Sequence, residues 1–88
     1  MTYKFIIHGR VQGVGYRNAI KSMAAKEGFR GYVKNLPNGE VEVVANLEEK
    51  DIDKFISLLQ KGSPFSEVKN ICYEKVSSQE FEDFSVRY

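Results

Sequence analysis

Along the chain, apolar and polar positions change period several times, and each change predicts an element. Tyr3 to His8 (YKFIIH) is a β-rich run and predicts a first strand. From Arg17 to Glu27 the spacing turns helical, with Ile20, Met23, Ala24 and Glu27 recurring at three and four residues, and Gly28 stands where a left-handed residue would end the helix. FRGYVKN and GEVEVVAN both read as strands. The LPNG between them (Leu36 to Gly39) carries Pro and Asn-Gly, so the two predict a hairpin. Asn46 offers an N-cap with Glu49 three residues on, and Ile52, Phe55, Ile56 and Leu59 then mark a second helix until Gly62 and Pro64 stop it. VKNICYEKV (Val68 to Val76) is a further strand, and FEDFSVRY closes the chain with a short one.

This order predicts a single α+β domain over residues 1–88. It is the ferredoxin-like βαββαβ two-layer sandwich, two helices on one face of an antiparallel sheet, plus a short C-terminal strand. In a right-handed unit the strands flanking the first helix run parallel, and their carboxyl ends emerge at one edge. That places the loop after His8 beside Asn35, with Arg17 at the helix start pointing to the same edge.

Composition narrows the class. With 42% hydrophobic and 28% charged residues the chain is an ordinary globular one. No window approaches the roughly 18 apolar residues of a membrane span, and no signal-peptide core follows Met1, so a cytoplasmic protein without a membrane partner is expected. The one cysteine, Cys72, excludes an internal disulfide and reads as small apolar filler in a strand.

The net charge of +1 hides an asymmetry: residues 1–26 hold five Lys or Arg and no acid, while the remainder holds eight bases and twelve acids. A global field for polyanions is absent, but the first third carries the charge for a local anion site. Lys21 and Lys26 read as a solvated helix face.

HGRVQGVGYR (His8 to Arg17) concentrates the candidate chemistry. Gly9, Gly13 and Gly15 allow backbone conformations closed to other residues and leave the amides bare, and feeding such a loop into a helix start makes a nest suited to phosphate. Arg17 at that helix start is disfavoured by the macrodipole by roughly 0.3–1 kcal/mol unless an anion compensates, and its planar fork matches phosphate. The loop is neither a dinucleotide fingerprint nor a Walker A loop, so nucleotide binding is unsupported. On spacing alone a ligand-free connection stays open. Asn35 is either a turn former or, with an amide that donates and accepts, a group that positions water opposite a bound phosphate. His8 reads as a strand-end residue, Glu40 and Glu42 as a polar strand face, and no Cys/His cluster has metal spacing.

GRVQGVGYR (Gly9 to Arg17) and GYVKN (Gly31 to Asn35) resemble the signature of the acylphosphatases, and the likeness extends over the whole chain through NGEVEVVA, the helix ending near GSP and the terminal FEDFSVRY. Tyr16 stands in place of the usual Phe, and GSP in place of a tighter Gly-Pro. The resemblance implies hydrolysis of acyl phosphates to a carboxylate and inorganic phosphate without cofactor. It implies that the amides of Val11, Gln12, Gly13, Val14, Gly15 and Tyr16 cradle the phosphoryl oxygens, that Arg17 neutralises their charge, and that Asn35 holds the attacking water. The alternatives are a non-catalytic phosphate-binding domain and an RNA-binding module of the same topology. The latter is weakened because RGYVKN departs from the RNA-binding strand signature after its first three residues. No exposed apolar run argues for an interface, and a monomer with no nucleic-acid partner is expected.

Overall fold

A computed structural model describes residues 1–88. The alternation of Tyr3, Phe5 and Ile7 produces strand β1 (Thr2–Arg10), followed by helix α1 (Tyr16–Lys26), strands β2 (Arg30–Asn35) and β3 (Val41–Asn46), helix α2 (Ile52–Lys61), and strands β4 (Glu67–Val76) and β5 (Phe84–Arg87). They form one five-stranded sheet in the order β4-β1-β3-β2-β5. β1 and β2 both pair antiparallel with β3, which lies between them, so the two strands flanking α1 run in the same direction. The register carries Ile7 opposite Val41 and Val41 opposite Asn35, so the carboxyl ends of β1 and β2 share an edge. β5 pairs with β2 in parallel, a direction that the residue pattern leaves unspecified. No helix is long and apolar enough to cross a membrane.

Phe5, Ile7, Val33 and Val43 of the sheet meet Ile20 and Ala24 of α1 and Phe55 and Leu59 of α2, all with no exposed surface. The Phe55 ring sits 5.0 Å from that of Phe5 and 5.3 Å from that of Phe29. Burying each such aromatic is worth about 1.5–3 kcal/mol, so this face anchors both helices. α1 ends as its sequence predicts: Gly28 takes a left-handed φ of 82°, and the amides of Gly28 and Phe29 donate to the carbonyls of Ala25 and Ala24, closing a Schellman motif.

Three expectations need correction. The second helix is not capped by Asn46, which is the last residue of β3 and accepts a 2.9 Å hydrogen bond from the Thr2 hydroxyl. A short 3-10 turn, Glu49–Asp51, precedes α2 instead, with a capping box between Glu48 and Asp51. β1 continues two residues beyond His8, with a bulge between His8 and Gly9. Gly9 therefore belongs to the sheet and not to the loop: at φ 140° its position for a Cβ lies 2.1 Å from the Glu67 carbonyl oxygen. Cys72 is exposed on the edge strand β4 instead of filling an apolar gap.

Candidate active site

Only five residues, Val11 to Gly15, separate β1 from α1. Gly13 and Gly15 take left-handed φ values of 72° and 77°, which a side chain would strain, and Gly15 is the N-cap of α1. Nothing else caps that helix: it has no side-chain cap hydrogen bond and no acid in its first turn. Its first amides thus remain donors without an intrahelical partner, at the positive end of the helix dipole.

The loop, the first turn of α1 and the ends of β2 and β5 enclose a cavity of about 100 Å³. Val11, Gly13 and Gly15 line it from the loop, Tyr16, Arg17 and Asn18 from the helix, and Asn35, Val86 and Tyr88 from the sheet side. A space of this size admits one phosphoryl group with a water, given about 30 Å³ for each water molecule. The two largest hollows lie elsewhere, of about 450 Å³ beside Phe29 and about 530 Å³ beside Glu80. Their walls mix acids and bases, among them the paired Lys54 and Glu27 and the paired Lys50 and Glu48, and so offer no field for an anion. No group of three His, Cys, Asp or Glu side chains is arranged to hold a metal ion.

Each wall of the cavity is held from outside. The Gln12 side-chain amide donates to the carbonyls of Leu36 and Glu40, at 2.7 and 2.8 Å, tying the loop to the β2–β3 turn that begins next to Asn35. The Tyr16 hydroxyl donates at 2.8 Å to the carbonyl of Leu59 in the last turn of α2, and burial raises its pKa far above the usual tyrosine value. Arg17, half-buried, makes a long 3.5 Å contact to the Arg87 carbonyl, and its guanidinium lies 4.7 Å from the centroid of the Tyr88 ring. Asn35 Oδ1 is buried and has no hydrogen-bond partner in the chain. Such an acceptor costs about 1–3 kcal/mol unless something donates to it.

The sequence-predicted residues Arg17 and Asn35 thus line one cavity with Val11, Gly13, Gly15 and Tyr16, while Gln12 and Val14 belong to the loop but not to the cavity lining. His8 lies apart, exposed, with its Nδ1 3.7 Å from Glu40. Val86 and Tyr88 were missed by the residue pattern, because only the parallel pairing of β5 with β2 brings them to this edge. Tyr32, the aromatic that an RNA-binding reading would need free, donates to Glu42 and has the Arg87 guanidinium 4.0 Å from its ring centroid and Phe81 edge-on.

Comparison with known proteins agrees with this architecture. The family model described as Acylphosphatase matches residues 3–86. An acylphosphatase of Archaeoglobus fulgidus is 40% identical over 93% of this chain and 92% of its own length, and one of Bacillus licheniformis is 37% identical over 100% and 99%. The crystal structure of acylphosphatase from Bacillus subtilis superposes with a TM-score of 0.90 at 38% identity, covering 99% of this chain and 98% of that one. With the family model spanning nearly every residue, full-length relatives near 40% identity and the same fold in a solved acylphosphatase, this chain belongs to the acylphosphatase family and is an enzyme that hydrolyses acyl phosphates.

Proposed function

We propose that the cavity at the amino end of α1 is the site of hydrolysis, with the phosphoryl group against the amides of residues 11–16, Arg17 balancing its charge, and Asn35 holding the attacking water. The observation that carries this reading is the Asn35 Oδ1, a buried acceptor without a partner, on a residue that lines the same small cavity as Gly13, Gly15 and Arg17. An acceptor suits a water, which must keep a lone pair free for phosphorus while donating a proton to its holder. The uncapped helix start and the left-handed glycines supply donors for the phosphoryl oxygens.

The chemistry then needs little beyond positioning and charge. The water oxygen bonds to phosphorus as the bond from phosphorus to the acyl oxygen breaks, and the electron pair leaves with the carboxylate. One water proton passes to a phosphoryl oxygen, so carboxylate and dihydrogen phosphate are the products. A carboxylate is a good leaving group, and neither a protein nucleophile nor a general acid is required of the chain.

Arg17→Ala should lower kcat/KM for an aromatic acyl phosphate by roughly 10³-fold, the range for loss of a transition-state arginine. Circular dichroism should remain that of the folded protein. Turnover by the folded variant close to that of wild type would overturn the assignment.

A further inference from the structure

We infer that Ser63 is a positioning residue of the phosphate loop, whose hydroxyl fixes the plane of the Val14–Gly15 peptide so that the Gly15 N–H faces the cavity. The inference rests on the reading of the 11–16 amides given above.

Ser63 follows Gly62, the residue that ends α2, and is only 8% exposed. Its Oγ donates to the Val14 carbonyl at 2.7 Å, across 49 residues of chain. In a trans peptide the C=O of one residue and the N–H of the next point in opposite directions. Drawing the Val14 carbonyl toward α2 therefore turns the Gly15 amide away from α2, and Gly15 lines the cavity.

Left to itself this peptide has little reason to keep that orientation. Gly15 stands at φ 77°, and a residue without a Cβ takes φ of either sign about equally well, so its side of the plane opposes no rotation. One hydrogen bond of ordinary net strength biases the two orientations about fivefold, which is enough to decide which one prevails.

Ser63 is itself fixed. Its amide donates to the Ser66 hydroxyl at 3.0 Å, and its carbonyl accepts from the hydroxyl and the amide of Ser66 at 3.0 and 3.2 Å. A Cβ on Gly62 would lie 2.8 Å from the Tyr16 ring, so this elbow packs directly on the first residue of α1. The Tyr16 hydroxyl returns the grip by donating to the Leu59 carbonyl at 2.8 Å. The end of α2 thus holds the residues on both sides of Gly15, Val14 through Ser63 and Tyr16 through Leu59. Donors fixed in place before the reaction are what lower its barrier, because no reorientation is then needed as charge develops.

The test uses the full chain, an aromatic acyl phosphate as substrate and inorganic phosphate as probe. In Ser63→Ala, kcat should fall about 10-fold and the inhibition constant for phosphate should rise by a similar factor, as expected for misplacement of one donor. The Gly15 amide signal, which should move in nitrogen–proton correlation spectra as phosphate is added to wild type, should cease to respond, and Ser63→Thr should restore it. If the alanine variant does not fold, Ser63→Cys, of similar size but a weak donor, carries the same comparison. A lowered melting temperature with kcat, phosphate inhibition and the Gly15 response all at wild-type values would make Ser63 a purely structural residue and overturn the inference. If phosphate moves no loop amide even in wild type, the reading of the site fails and this inference with it. If phosphate moves Gly15 equally in wild type and Ser63→Ala, the site stands and only the role of Ser63 falls.

Discussion

A cation placed in the first turn of a helix works against the dipole, and Arg17 is such a cation with no acid nearby in its own helix. The Tyr88 ring and the Arg87 carbonyl offset part of that cost, and an oxyanion in the cavity would offset the rest. Tyr16, beside it, has the opposite task of staying neutral and buried. Its hydroxyl satisfies a carbonyl in the last turn of α2, where helical carbonyls lack partners. Tyr16→Phe should leave that carbonyl unpaired and lower unfolding stability by about 1 kcal/mol, read from urea denaturation. An unchanged unfolding free energy would show that this hydrogen bond adds nothing to the fold.

Among the elements, the hairpin and the residues that follow α2 hold the loop, and β4 holds the strand that leads into it. Gln12 ties it to the turn after Asn35 with two hydrogen bonds, so Gln12→Ala should lower kcat roughly 10-fold through misplacement of loop against hairpin. Steady-state kinetics checks this, and an unchanged kcat would show that the loop holds its place without the tie. Gly9 serves the sheet. Gly9→Ala would drive a methyl group into the Glu67 carbonyl at an unfavourable φ, and should cost about 3 kcal/mol or more by thermal denaturation. The order of elements was readable in the sequence because each change of hydrophobic period falls at a turn residue. That the loop, Arg17 and Asn35 meet at one cavity was readable because they lie at the ends of elements whose order fixes a common edge. What was not readable depends on contacts between strands. Asn46 has the side chain of an N-cap, but Thr2 on the neighbouring strand claims it. Gly9 looks like its loop companions until β4 is laid against it, and Tyr88 joins the cavity only because β5 runs parallel to β2.

For the molecule as a whole, two tyrosines link stability to alkaline pH. Tyr32 is pushed up to about 12 by burial first and then by the hydrogen bond to Glu42, and burial raises Tyr16 as well. The unfolded chain releases these protons near pH 10, about the ordinary tyrosine value, so between about 10 and 12 the folded chain holds more protons and stability falls as pH rises. Below pH of about 10 this contribution is fully present. Melting temperatures should therefore drop steeply as pH rises from about 10 to about 12, and the Tyr16→Phe/Tyr32→Phe double variant should show a shallower drop. The division of labour across the cavity is tested most directly by kinetics of two variants on one acyl phosphate, with inorganic phosphate as competitive inhibitor. Asn35→Ala should lower kcat roughly 10²–10³-fold, as for loss of one positioned polar contact, and leave phosphate inhibition unchanged, whereas Arg17→Ala should weaken phosphate inhibition together with turnover. Wild-type kcat in Asn35→Ala, or undiminished phosphate inhibition in Arg17→Ala, would contradict the placement of water and phosphoryl group on opposite sides of this cavity.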